Sequence, residues 1–127
     1  HFDGTKEMMA EYQKRAKDLG LDPLGYTYPP YAYAAGQILE KAVTATKSLN
    51  DDVLAKYLAA NTFDTVIGPI SFGPDGEWKD PRIICIQFKG VTGNDMSQFT
   101  DWSRQVVVYP PKYKAGDLIF PFAEASK

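Results

Sequence analysis

The stretch FDTVIGPISF, residues 63–72, marks the point at which the hydrophobic pattern of this 127-residue chain changes. Before it, apolar residues recur every three or four positions, which is the spacing of amphipathic helices. After it, β-branched and aromatic residues gather in short runs separated by glycine and proline, as in strands and turns. The order predicts an α/β fold and argues against an all-helical one.

Three helices are predicted ahead of this stretch, at residues 4–19, 31–47 and 51–60. Gly20 follows the first of them and is suited to the left-handed conformation that ends many helices. Asn50 precedes the third and is a favourable N-cap residue. The helical part of the chain therefore has recognisable boundaries in its sequence.

Strands are predicted in the second half of the chain. Residues 70–79 contain the turn sequence GPDG between two short apolar segments, which is typical of a hairpin. Residues 82–88 form a nearly continuous apolar run, which predicts a strand covered on both faces. Cys85 lies inside that run and is expected to be a buried thiol. Residues 105–109 are predicted to form a further strand.

Composition and charge exclude several classes of function. The formal net charge is −2, with 16 acidic against 14 basic residues, so the chain lacks the basic surface of a nucleic-acid-binding protein. No window approaches the roughly 18 apolar residues of a membrane-spanning helix. The only histidine is His1, which leaves a Ser-His-Asp or Cys-His arrangement without its base. We expect no enzyme activity, no metal site and no cofactor.

Four tyrosines surround the start of the second predicted helix: Tyr26, Tyr28, Tyr31 and Tyr33. Tyrosine combines a rigid apolar ring with a hydroxyl, which suits the wall of a small-molecule site. The same residues could simply pack around the entry to the helix. On chemistry alone, packing is the better explanation, and the ligand-site interpretation stays open.

Three segments together carry a resemblance to a known family. They are GYTYPPYAYAAGQILEKAV at residues 25–43, the stretch at residues 63–72, and KYKAGDLIFPF at residues 112–122. Their order resembles the C-terminal portion of a type I periplasmic substrate-binding protein of the branched-chain amino acid and amide class (Leu/Ile/Val-binding-protein-like). The resemblance extends from about residue 4 to residue 122.

The resemblance implies a fold and a site. Proteins of this family have two Rossmann-like lobes, the chain crosses between them three times, and the ligand binds in the cleft. By position, Tyr28 would face the cleft, with Tyr26 and Tyr31 as its neighbours. In these terms residues 1–25 would be a second-lobe helix and a crossing, 26–90 part of the first lobe, and 91–127 the last crossing and the second-lobe tail.

The resemblance also implies a function. We expect the intact parent protein to capture an amino acid, amide or small carboxylate in the periplasm and to deliver it to the membrane permease of an ABC importer. The first-lobe ligand residues of the family would precede His1, so this chain would retain the remainder of its parent or associate with copies of itself. A ligand-sensing domain of a receptor or regulator with the same fold is the main alternative, and a small α/β enzyme is a weaker one.

Overall fold

The structure, a computed structural model, describes residues 2–25 and 27–125. This part of the chain combines helices with four short strands, which pair two by two into antiparallel sheets. A mixed helix and strand composition, as predicted from the sequence, is therefore confirmed. The contacts divide the chain into two compact units, His1–Pro81 and Arg82–Lys127.

Three helices belong to the first unit. Helix α1 spans Thr5–Asp18, α2 spans Pro29–Thr46 and α3 spans Asp51–Ala60. Each lies within two residues of its predicted range. Two prolines open α2, where they are tolerated because the N–H groups of a first helical turn have no partner within the helix.

Local hydrogen bonds explain where two of these helices end and begin. After α1, Gly20 adopts a φ of 66°, and the Leu21 N–H donates to the Ala16 carbonyl at 2.8 Å. This is the glycine-terminated end expected from the sequence. At the start of α3, the Asn50 side chain accepts a hydrogen bond from the Val53 N–H at 3.2 Å, so the predicted cap is confirmed.

The stretch that decides the fold is itself a hairpin. Strand β1, Thr62–Thr65, pairs antiparallel with β2, Gly68–Ser71, and alternate residues of the two strands are buried. Thr5 on α1 donates from its hydroxyl to the Val66 carbonyl at 2.6 Å, which ties the helix to the hairpin turn. The core of this unit consists of Met8, Ala34, Ile38, Phe63, Val66 and Ile70.

A second turn follows directly and fits the predicted GPDG hairpin. The Gly73 N–H donates to the Glu77 carbonyl at 2.8 Å, and the Lys79 N–H donates to the Ser71 carbonyl at 2.9 Å. Beyond these bonds, the pairing consists of a single bridge between Phe72 and Trp78. The hairpin is therefore present, but its second arm is too short to form a strand.

The second unit contains the other sheet. Strand β3, Cys85–Phe88, pairs antiparallel with β4, Gln105–Tyr109, with a β-bulge at Cys85/Ile86. The bounds of β4 are those predicted. Strand β3 covers only the second half of the predicted range at residues 82–88.

The prediction that residues 82–88 are covered on both faces is wrong, and so is the prediction that Cys85 is buried. Ile83, Ile84, Cys85 and Ile86 are all exposed. The reason is that β3 has a single partner strand, and covering segments reach only its C-terminal end. An apolar run of this kind indicates that a segment tends to be buried, but it does not indicate which other segments cover it.

The remaining part of the second unit is irregular. The long connection between β3 and β4 contains two short 3-10 helices, Met96–Phe99 and Trp102–Arg104. A third 3-10 helix, Pro111–Tyr113, follows β4, and a last short helix, α4, spans Phe122–Ala125. These segments fold back on the sheet through hydrogen bonds such as the one from the Gly90 N–H to the Ala125 carbonyl at 2.7 Å.

Candidate functional site

Tyr28 is the residue that the sequence favoured for contact with a ligand. It occupies the N-cap position of α2, and its carbonyl accepts hydrogen bonds from the N–H groups of Tyr31 at 3.0 Å and Ala32 at 3.1 Å. Its side chain is 80% exposed. The backbone of Tyr28 is therefore fixed by the helix, while its ring and hydroxyl face solvent.

Tyr31 lies one turn into the helix and contacts a second aromatic residue. Its ring and that of Trp78 meet edge to face, with centroids 6.4 Å apart and planes inclined at 69°. Trp78 is held there by its bridge to Phe72, and both residues pack against the core of the first unit. Tyr31 and Trp78 thus form an aromatic pair at the first turn of α2, and the exposed Tyr28 is the N-cap residue of the same helix.

Trp78 is the member of this cluster that sequence reasoning missed. A usable signal was present in the predicted GPDG hairpin, which sets Trp78 across from Phe72. The sequence does not indicate that this hairpin contacts the first turn of α2.

Tyr33 does not join the pair. Tyr33 lies two positions beyond Tyr31, which places it on a different side of the helix, and it is half exposed. Tyr26 lies outside the described residues. Among the described residues, we refer below to the exposed N-cap residue Tyr28 and the pair Tyr31 and Trp78 as the aromatic surface.

A separate open groove of about 460 Å³ lies between α2 and the β1–β2 hairpin. Two of its polar side chains bind the hairpin backbone: Gln37 accepts from the Val66 N–H at 2.9 Å, and the Lys41 ammonium donates to the Asp64 carbonyl. These contacts give the groove a structural role. Its lining consists of Phe2, Asp3, Gln37, Lys41, Asp64, Thr65, Gly68 and Pro69.

The carboxyl groups with lowered pKa values belong neither to the aromatic surface nor to the lining of the groove. Backbone and side-chain hydrogen bonds from Ser97 lower the pKa of Asp95, and those from Ser103 lower the pKa of Asp101. Lys114 lowers the pKa of Asp117 through a 2.6 Å ion pair, and Arg15 does the same for Glu11. Each of these shifts has a local structural cause.

Across residues 2–25 and 27–125, no three or more His, Cys, Asp or Glu side chains are grouped so that they could hold a metal ion. In the same ranges, no helix has both the length and the apolar character needed to cross a membrane. The aromatic surface offers aromatic rings and hydroxyl groups for noncovalent contact.

Comparisons of the chain with protein-family models, with curated proteins and with solved structures each gave no match. The resemblance to periplasmic substrate-binding proteins therefore rests on the three sequence segments that carry it.

Proposed function

We propose that this chain is the C-terminal portion of a type I periplasmic substrate-binding protein. Its intact parent would capture an amino acid, amide or small carboxylate and deliver it to the permease of an ABC importer. The observation that carries the proposal is the exposed aromatic surface at the start of α2. The resemblance predicts a crossing segment with a ligand-facing aromatic at this position.

The chemistry of the aromatic surface fits such a ligand. Tyr28 offers an exposed ring and a hydroxyl group that can donate or accept one hydrogen bond. Tyr31 and Trp78 brace each other edge to face, an arrangement that favours a fixed ring orientation. A fixed ring costs little conformational entropy when a ligand settles against it, because its side chain is already ordered.

Capture would proceed without covalent chemistry. In the proposed parent, two lobes close around the ligand by rotation about the crossing segments, which is a common mode of ligand-driven domain movement. The ligand would then be held between the aromatic surface and groups supplied by the remainder of the parent. The resemblance assigns residues 1–25 to a second-lobe helix and a crossing, residues 26–90 to part of the first lobe, and residues 91–127 to the last crossing and the second-lobe tail.

Exposed apolar side chains in the second unit support the idea that more protein covers this chain in its parent. Leu118, Phe120 and Phe122 are all largely exposed and lie close together in sequence. Large contiguous apolar patches are uncommon on free monomers and often mark contacts with other protein. A lobe completed by the remainder of the parent would supply such a contact.

The proposal is tested by ligand binding to the intact parent protein. Thermal unfolding would be measured with each of the twenty amino acids, with acetamide and urea, and with short carboxylates. A ligand present at 100 times its Kd stabilises the folded state by about 2.7 kcal/mol, which gives a clear rise in Tm. The proposal is abandoned if no compound in these three classes raises the Tm.

A second measurement separates importer from sensor. The liganded parent should stimulate ATP hydrolysis by its reconstituted permease complex, and the unliganded parent should stimulate it less. A protein that binds ligand but has no effect on any permease would instead be a ligand-sensing domain of the same fold.

A further inference from the structure

The groove between α2 and the β1–β2 hairpin is lined by two carboxylates that the fold does not use, those of Asp3 and Asp64. Within residues 2–25 and 27–125, neither side chain makes a hydrogen bond or an ion pair. Asp3 lies two residues before α1, yet that helix begins without a side-chain cap. The carboxyl groups with lowered pKa values, in contrast, each have a serine, lysine or arginine partner. Capping and ion pairing therefore do not account for Asp3 and Asp64.

Hydrogen-bond donors line the same groove from α2. Gln37 and Lys41 lie four residues apart and so share one side of the helix. The Oε1 of Gln37 accepts from the Val66 N–H, and the Lys41 ammonium donates to the Asp64 carbonyl. The NH₂ group of Gln37 bonds to no other described residue, and an ammonium has three N–H donors, of which this bond uses one. The groove thus offers donors as well as carboxylates.

Apolar groups complete the lining, and the groove has the size of a small-molecule site. Phe2 and Pro69 contribute a ring each, and Phe2 is 42% exposed. The volume of about 460 Å³ falls in the range of about 300–1,000 Å³ that is usual for ligand pockets. All of the lining residues belong to the first unit. The site is therefore contained within one compact part of the chain.

Hydrogen bonds hold the walls of the groove in place. The Thr5 hydroxyl lies 2.8 Å from the Phe2 carbonyl and 2.6 Å from the Val66 carbonyl, which fixes residues 2 and 3 beside the hairpin. The buried Thr65 donates from its hydroxyl to the Gly68 carbonyl at 2.7 Å, across the end of the hairpin. A groove that is already ordered costs little conformational entropy when a ligand enters it.

We propose that this groove binds a small molecule that carries a primary ammonium group and a hydrogen-bond acceptor, such as an amino alcohol. The carboxylates of Asp3 and Asp64 accept from the ammonium, and the NH₂ group of Gln37 donates to the acceptor. Hydrogen bonds between ionised partners are about twice as strong as those between neutral ones. The groove shares no residue with the aromatic surface, so this inference does not depend on the function proposed above.

The chemistry of the lining favours an organic ammonium over other charged ligands. Two carboxylates against the single ammonium of Lys41 leave the lining with an excess of negative charge, which disfavours an anion. A calcium ion takes about six to eight oxygen ligands, whereas the three N–H donors of a primary ammonium can be satisfied by two carboxylates. The ring of Phe2 is a suitable contact for the carbon atoms beside an ammonium group.

The test is an NMR titration of the isotope-labelled 127-residue chain with ethanolamine at pH 7, with potassium chloride holding the ionic strength constant. The amide resonances of Asp3, Asp64 and Gly68 should shift to saturation with a Kd on the order of 1–10 mM, a reasonable affinity for a ligand of so few atoms. Ethylene glycol has the same size but a hydroxyl in place of the ammonium, and it should bind at least tenfold more weakly. Magnesium chloride should not shift these resonances to saturation in the same concentration range.

Matched variants show whether the two carboxylates hold the ligand. Asp64→Asn removes one charge but keeps the backbone carbonyl to which Lys41 donates, and it should raise the Kd for ethanolamine at least fivefold. Asp3→Asn should do the same. Glu40→Gln is the control, because Glu40 is an exposed acid on α2 that does not line the groove, and it should leave the Kd within about twofold.

Nuclear Overhauser effects in the unchanged chain keep the test valid if a variant does not fold. The methylene protons of bound ethanolamine should give cross-peaks to the rings of Phe2 and Pro69, which line the groove. The proposal is overturned if ethanolamine causes no saturable shift, if ethylene glycol or magnesium binds as tightly, or if the cross-peaks arise from other residues. A rise in Kd that is as large in Glu40→Gln as in Asp64→Asn also overturns it.

Discussion

The side-chain amide of Gln87 exchanges two hydrogen bonds with the backbone of Ile119, 32 residues further along the chain. Its Nε2 donates to the Ile119 carbonyl and its Oε1 accepts from the Ile119 N–H, both at 2.9 Å. Gln87 is one of the few buried polar residues in the described part of the chain. The amide thus takes the place of a neighbouring strand and holds the C-terminal segment against β3.

Gln87→Leu should destabilise the second unit. The substitution keeps a similar volume but leaves the N–H and C=O of Ile119 without these partners, which costs about 1–3 kcal/mol for a buried group. The free energy of unfolding, measured by urea titration with a probe in the second unit, checks this. Gln105→Leu is the control: the Gln105 side chain donates one hydrogen bond, to the Phe99 carbonyl at 2.7 Å, and the loss of that bond should cost about 1 kcal/mol. Equal stability of Gln87→Leu and the unchanged chain would contradict the role given to this amide.

The sequence predicted those features that depend on neighbouring residues. The bounds of α3 followed from Asn50, and the end of α1 from Gly20, because a cap satisfies backbone groups within a few residues of itself. Strand β4 was likewise predicted with its observed bounds. Helix periodicity and caps are local properties, so they can be read without knowing the fold.

Features that depend on distant contacts were not predicted. Gln87 lies in the middle of an apolar run, and nothing near it indicates a partner 32 residues away. The contact between Tyr31 and Trp78 depends in the same way on where a hairpin meets a helix. Ile84 was expected to be buried but is exposed. The composition of a strand indicates that it tends to be buried, but it does not indicate which segment covers it.

Asn50→Ala should weaken α3. The Asn50 side chain accepts a hydrogen bond from the Val53 N–H. The N–H groups of a first helical turn have no acceptor within the helix, so in the alanine variant the Val53 N–H loses its acceptor. Loss of such a cap costs about 1 kcal/mol, with a range of about 0.5–2 kcal/mol. Chemical denaturation of the chain, followed by far-UV circular dichroism, measures the change. Asn50→Asp retains a cap oxygen and should remain close to the unchanged chain; a loss as large as that of Asn50→Ala would argue against capping as the cause.

Acid should loosen the connection between β3 and β4. The Asp95 carboxylate accepts from the Ser97 N–H at 3.0 Å, so its pKa is lowered in the folded state. The Asp101 carboxylate accepts from the Ser103 hydroxyl at 2.6 Å and from the Ser103 N–H at 2.9 Å, which lowers its pKa in the same way. Because the pKa of each carboxyl group is lower in the folded state, its contribution to stability is fully present at pH values above the unfolded-state pKa of about 3.9. It is lost as the pH falls through the lower folded pKa.

The amide resonances of Ser97 and Ser103, followed by NMR from pH 7 to pH 2, test this prediction. Both should stay constant down to about pH 4 and move only below it, because the carboxylates remain ionised until then. Asp95→Asn keeps an acceptor oxygen but cannot titrate, so the Ser97 amide should then lose its pH dependence while that of Ser103 keeps it. Movement that begins near neutral pH would point to a different titrating group.

In the intact parent protein, Tyr28→Ala should weaken ligand binding by about 1–3 kcal/mol, or roughly 5-fold to 150-fold in Kd. This is the scale for losing the burial of one aromatic ring together with one hydrogen bond to a polar ligand group. Stability should change little, because the side chain is 80% exposed and few contacts are lost.

Tyr33→Ala is the matched control for this prediction. Tyr33 lies on the same helix and is 52% exposed, but it lies on a different side from Tyr31 and Trp78. Calorimetric titration of both variants with the ligand found in the thermal screen, beside their melting curves, separates affinity from folding. Tyr28→Phe keeps the ring and removes the hydroxyl, so its loss of affinity measures the hydrogen bond. The further loss of affinity in Tyr28→Ala measures the contact of the ring. If Tyr28→Ala binds as the unchanged protein does while Tyr33→Ala does not, the ligand lies on the other side of α2, and the aromatic surface serves only to pack the start of the helix.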